Sequence, residues 1–137
     1  MNKMFLRLSA LSCNESFVRT AVAAFMLSAD PTVEEINDVK TAVSEAVTNA
    51  IVHAYPDGKG EIAVECELDE KYIKIVISDT GVGIKDVDEA TRPFFTTKEC
   101  DERAGLGFTV MRSFMDGLEV RSSLGEGTTL TMIKRIA

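Results

Sequence analysis

Between Ile36 and Ile51, apolar residues recur at steps of three and four: Ile36, Val39, Val43, Val47, Ala50 and Ile51. That is the period of an amphipathic α-helix with one face toward a core. Asp30-Pro31-Thr32 marks its start, since proline suits the first helical turn and Thr32 with Glu35 has capping-box spacing. The turn-rich stretch Tyr55-Pro56-Asp57-Gly58-Lys59-Gly60 ends it beyond His53. An earlier helix, opened by a similar pattern at Ser12 and Glu15, carries Phe17, Val18, Ala21, Val22, Phe25 and Met26 and fades near Ala29. Before it, Met4 to Leu8 reads as a first strand at a sheet edge.

After Gly60 the period changes to two. Ile62, Val64, Cys66 and Leu68, the charged break Asp69-Glu70-Lys71, then Ile73, Ile75 and Ile77 predict an antiparallel hairpin. The second strand runs into Asp79-Thr80-Gly81-Val82-Gly83-Ile84. From Lys85 to Ala104 there is little periodicity, the mark of a functional lid or a disordered segment. Gly105-Leu106-Gly107-Phe108 closes that loop and opens a third helix with Leu106, Val110, Met111, Phe114 and Met115 on its apolar stripe. A hairpin from Leu118 to Ser123 and Thr128 to Ile136, turning at Leu124-Gly125-Glu126-Gly127, completes the chain.

Size and charge narrow the function classes. The chain has 137 residues, of which 45% are apolar, enough for one compact domain with a real core. A net charge of −7 argues against direct nucleic-acid binding, though not against a partner that itself binds nucleic acid. Cys13, Cys66 and Cys100 form neither a metal-binding spacing nor a disulfide framework, which points to a reducing cytoplasm. The first residues are too soon charged for a signal peptide, and no apolar run is long enough for a membrane span.

The candidate chemistry starts with Glu45 and Asn49, one turn apart on the polar face of the central helix. Such pairs are most often simply solvated. A carboxylate that can accept a proton beside an amide oxygen suited to Mg²⁺ nevertheless matches metal-assisted phosphoryl transfer. Asp79 at a strand end can accept a hydrogen bond from an exocyclic amine, and Gly81 and Gly83 let backbone approach a flat ring. Gly105 and Gly107 at a helix start would offer free amides to phosphate oxygens, with Lys98 and Arg103 just before them as positive charge. No P-loop pattern is present, so a phosphate site here is built otherwise.

The order of these parts is more specific than any one of them: ExxxN on a helix, DxGxG after a strand, a lid ending in GxG, and GxGT before the last strand. It resembles the GHKL superfamily, shared by gyrase-type, chaperone-type and histidine-kinase ATP-binding domains. NESFVRTAVAAF (14–25), KTAVSEAVTNAIVHAY (40–55), DTGVGI (79–84), RPFFTTK (92–98) and ERAGLGFTVMRSFMD (102–116) resemble more closely the small bacterial anti-sigma factor serine kinases of the sporulation anti-sigma F type. The likeness covers nearly the whole chain, so residues 1–137 are expected to be a single ATP-binding kinase domain.

That resemblance implies roles residue by residue. Glu45 takes the catalytic-base position and Asn49 the Mg²⁺-ligand position. Asp79, helped by Thr128, would bind the adenine amino group of ATP, with Gly81 and Gly83 admitting the base. Gly105 and Gly107 would lie under the phosphates, Thr97 and Lys98 belong to the nucleotide-binding lid, and Arg103 would reach the terminal phosphate. Arg19 falls where such proteins meet the sigma factor and its antagonist. Two positions depart from the pattern: Ala54 stands where glycine is usual after the histidine, and Glu99 where proline often follows FTTK.

Elements and resemblance together predict an α/β two-layer sandwich of the GHKL, or Bergerat, type. A mixed, largely antiparallel sheet would carry three helices on one face, with nucleotide between helices and lid. The implied protein is a cytoplasmic homodimer that sequesters a sporulation sigma factor and phosphorylates a serine of an anti-anti-sigma protein. An ATP-dependent anti-sigma clamp without kinase turnover, and an ATPase in which Glu45 activates water, are the alternatives.

Overall fold

The computed structural model describes residues 1–55, 57–83 and 101–137, with the backbone alone at 101–106. Five strands, β1 (Asn2–Ser9), β2 (Glu61–Leu68), β3 (Tyr72–Asp79), β4 (Gly117–Ser123) and β5 (Gly127–Arg135), form one sheet in the order β1-β2-β3-β5-β4. Among the described residues the α-helices are α1 (Cys13–Phe25), α2 (Val33–Asn49) and α3 (Asp101–Phe114). Among the described residues every neighbouring strand pair is antiparallel, where a mixed, largely antiparallel sheet was expected. Connectivity gives the reason. Two helices between β1 and β2 return the chain antiparallel to its start. The crossover that contains α3 leaves β4 parallel to β3, but β5 is inserted between them.

Strand register turns the alternating sequence into rows across the sheet. Met4, Cys66, Ile75, Met132 and Leu118 form one row, and Leu6, Val64, Ile77, Leu130 and Val120 the next. These apolar rows meet Val18 and Val22 of α1, Val39, Val43, Ala46 and Val47 of α2, and Phe108 and Met111 of α3 in one core. Each large side chain buried there stabilises the fold by roughly 1.5–3 kcal/mol. Burial pushes the Cys66 thiol up to about 12, which leaves it a core hydrophobe with no thiolate chemistry.

The rows turn polar at both ends of this buried face. At one end Leu8 and Ile62 continue into Asp79, Thr128 and Ser122. At the other, Leu68 and Ile73 lead to Lys134, whose Nζ lies 2.9 Å from Asp38 Oδ2 of α2 and donates to the Phe114 carbonyl at the end of α3 (2.8 Å).

Helix boundaries were only partly legible. The Thr32–Glu35 capping box is formed in both directions. The one expected at Ser12 is not: Ser12 makes no side-chain cap, and Glu15 instead accepts from Arg19 (3.3 Å) and from the Ser44 hydroxyl of α2. A bond to the neighbouring helix has displaced a bond to the helix's own start. α2 continues as a π-helical turn through Ala50–Ala54, and α3 begins at Asp101 rather than Gly105. Gly105 and Gly107 therefore lie inside a helix and do not open it.

Candidate functional site

Glu45 and Asn49 project from α2 toward α3, where Gly107 leaves room for them. A Cβ built on Gly107 would lie 3.0 Å from Asn49 Nδ2, 3.3 Å from its Oδ1 and 3.4 Å from Glu45 Oε2. Carboxylate, amide and glycine are brought together by helix–helix packing and not at a helix start. Asn49 Nδ2 is buried and has no hydrogen-bond partner among the described residues, a cost that a polar ligand would relieve.

The oxygens of Asn49 and Glu45 are hard donors that fit Mg²⁺. Among the described residues no three His, Cys, Asp or Glu side chains cluster as a metal site. A divalent ion held here would therefore draw its remaining ligands from water and from phosphate, as Mg²⁺ bound with nucleotides commonly does.

The second half of the site is the polar end of the sheet. Asp79 Oδ1 accepts from the backbone N–H of Gly81 (2.9 Å) and from that of Thr128 on β5 (3.2 Å). Burial raises the Asp79 pKa, and these two bonds oppose the rise without cancelling it. Thr128 Oγ1 pairs with Ser122 Oγ at 2.8 Å, closing the row.

Close backbone approach shapes the loop after Asp79. A Cβ on Gly81 would overlap the Ala54 carbonyl oxygen, which also accepts from Val82 N–H (2.9 Å). Gly127, at φ +95°, lies against the Asp79 carbonyl so closely that no side chain would fit. Gly83 sits beside Ser123, and the Gly125 N–H donates to Val82 O (2.6 Å), so the β4–β5 turn braces the loop. The Ala54 departure is accommodated because its methyl is buried in the π-turn while its carbonyl holds the glycine loop.

Tyr55 closes the KTAVSEAVTNAIVHAY stretch and was given no role in the sequence, yet it is central here. Its ring is buried against Gly60, its hydroxyl donates to the Glu61 carbonyl (2.6 Å), and it accepts from Thr80 N–H (2.9 Å). An aromatic directly after an amphipathic helix, with a polar tip that requires partners when buried, was the available clue.

Arg19 lies closer to this chemistry than its place in the chain suggests. It lines an open cleft with Asn37, Lys40, Thr41, Ser44 and Glu45. Thr97 and Lys98 lie outside the described residues, as does the side chain of Arg103; Gly105 is placed as backbone within α3.

Residues 9–134 match the family model described as a histidine kinase-like ATPase domain. A protein of Clostridium novyi (strain NT) named "Anti-sigma F factor" is 52% identical over 136 residues, 98% of this chain and 95% of that protein. Its namesake in Caldanaerobacter subterraneus subsp. tengcongensis is 53% identical over 135 residues, 98% of this chain and 94% of that protein. Among solved structures, the RsbU and RsbW domains of Rv1364c from Mycobacterium tuberculosis share the fold, with a TM-score of 0.72 at 20% identity over 99% of this chain and 33% of theirs.

Proposed function

The chain belongs to the anti-sigma F factors within the histidine kinase-like ATPase domain family, and from that premise we propose that it is an ATP-dependent protein serine kinase. On this reading it binds and inhibits a sporulation sigma factor, and transfers the γ-phosphoryl group of Mg-ATP to a serine of an anti-anti-sigma protein. It would act as a homodimer in the cytoplasm. Among the described residues no helix is long and apolar enough to cross a membrane.

The observation that carries the kinase reading is the placement of Glu45 and Asn49 side by side under Gly107, with Glu45 also lining the cleft that holds Arg19. Glu45 takes the proton of the substrate hydroxyl as that oxygen attacks the γ-phosphorus and the bond to the ADP oxygen breaks. Asn49 presents its amide oxygen to the metal. Bound Mg²⁺ supplies charge neutralisation on the phosphate oxygens. Asp79 accepts the adenine amino group through the carboxylate oxygen not committed to Gly81 and Thr128. Arg19, next along the cleft, meets the protein partner.

The test is single-turnover transfer from γ-labelled ATP to anti-anti-sigma candidates, each with and without its serine changed to alanine. Label on the serine form alone, at a rate that Glu45→Gln lowers by about 10²–10⁴, is expected. No transfer to any candidate, with ATP-dependent sigma-factor capture intact, would leave the clamp without turnover.

A further inference from the structure

The two halves of the candidate site sit on different elements: Glu45 and Asn49 on α2, Asp79 at the end of β3. A nucleotide spanning them needs their separation fixed. Among the described residues the segment joining them is short and double. Ala54 O receives Val82 N–H (2.9 Å), and Tyr55 Oη receives Thr80 N–H (2.9 Å). Both groups stand at the end of the π-turn that continues α2, and both hold residues beside Asp79 and Gly81.

Tyr55 differs from Ala54 in how it is itself held. Its ring fills the space that only a glycine at position 60 leaves, and its hydroxyl donates to the Glu61 carbonyl (2.6 Å) at the start of β2. Thr80 Oγ1 lies 3.3 Å from the Tyr55 hydroxyl oxygen. One phenol thus ties the end of the catalytic helix, the first residue of β2 and the residue after Asp79. A tyrosine 8% exposed, with its oxygen used as donor and acceptor, has little freedom to move.

We propose that Tyr55 is the positioning residue for purine recognition: it fixes the Thr80 backbone, and thereby aims the free oxygen of Asp79 at an exocyclic amino group. This rests on the nucleotide reading above. Tyr55 touches no ligand atom itself. It acts through Thr80 and Asp79, whose other oxygen is already locked by Gly81 and Thr128. Losing the phenol oxygen frees Thr80 and lets the Asp79–Gly81 turn shift relative to α2, so the amine contact weakens while the phosphate half is untouched.

The experiment compares ATP with inosine triphosphate, which carries a carbonyl where adenine carries the amine. Wild-type protein is expected to prefer ATP. Tyr55→Phe, which removes one oxygen and keeps the ring, should lower the ATP-to-inosine-triphosphate affinity ratio by about tenfold, the size of one charge-assisted hydrogen bond. Affinity for inosine triphosphate itself should stay within about twofold, since no amine contact is there to lose. A structural defect alone would weaken both nucleotides alike, and that result would overturn the assignment, as would an unchanged ratio. A second measurement needs no variant: in the nucleotide-free wild type, Thr80 N–H should exchange slowly with solvent. Rapid exchange there would equally refute the role. Wild-type protein that binds neither nucleotide would sink the nucleotide reading and this assignment with it. Wild type that binds both alike would remove Asp79 from base recognition, and Tyr55 with it.

Discussion

Asp79 and Thr128 face each other across β3 and β5, and the Thr128 N–H donates to Asp79 Oδ1 at 3.2 Å. The aspartate is held ready for a ligand at a cost to the empty protein, because burial raises its pKa. With the folded pKa above the unfolded one, its stability contribution is fully present below the ordinary carboxylate range and is lost as pH rises through the folded value. Asp79→Asn should therefore be more stable than wild type at neutral pH, with the advantage shrinking on acidification. ATP affinity should fall at least about tenfold, because an amide NH₂ would face the adenine amine. Thermal unfolding across pH and nucleotide titration check both signs; an advantage that grows on acidification would contradict the burial argument.

Gly107 gives a prediction in which stability and function part. Alanine inside a helix is ordinarily worth up to ~1 kcal/mol over glycine. Here its Cβ would stand 3.0 Å from Asn49 Nδ2, so the amide must give way. Gly107→Ala should fold with stability within about 1 kcal/mol of wild type, yet lose Mg²⁺-dependent ATP affinity, as Asn49→Ala is also expected to do. Binding measured with and without Mg²⁺ decides it, since a variant that keeps the metal dependence shows that Asn49 was not displaced.

Arg19 is held by Glu15, which is in turn bonded to Ser44, the neighbour of Glu45. Arg19→Glu puts a second negative charge beside Glu15, at a cost to α1 of only ~0.5 kcal/mol. Sigma-factor capture should weaken by about tenfold, through lost charge complementarity, while ATP binding stays level. Capture unchanged at matched salt would return Arg19 to a surface ion pair.

Lys134 and Asp38 form a pair whose side chains are 13% and 19% exposed, far more enclosed than the Arg121–Glu119 pair at the surface. Lys134→Met would strand Asp38 and the Phe114 carbonyl, lowering unfolding free energy by about 2 kcal/mol. Changing Asp38→Leu in addition should recover most of the loss. Denaturant midpoints of the single and double variants measure it.

The legibility of each element depended on whether its signal is local. Alternation in 62–77 marked β2 and β3 because one face is buried and one is not, and the shared spacing of Glu45 and Asn49 survived because helix geometry alone sets it. The start of α3 was misplaced because glycines in a sequence suggest a boundary, whereas Gly107 is needed for close helix packing. The missed cap at Ser12 and the role of Tyr55 share a cause. Glu15 finds Ser44 and Tyr55 finds Thr80, partners 29 and 25 residues away that no local pattern encodes. The strand order hid the same kind of fact, since nothing in the chain announces that β5 slips between β3 and β4.

The wide turn at Ala50–Ala54 carries a consequence for angular phase. Each residue of a regular helix advances the chain by roughly 100°, so a π-turn, which accommodates an additional residue, changes the direction in which the chain leaves α2. Ala54 and Tyr55 reach the glycine loop from that altered direction, while Glu45 and Asn49, upstream of it, keep the phase of α2. Deleting one residue between Ile51 and His53 would restore an unbroken α-helix and swing Ala54 and Tyr55 away from Val82 and Thr80. Glu45 and Asn49 would keep their orientation, so the two halves of the candidate site would be intact and out of step.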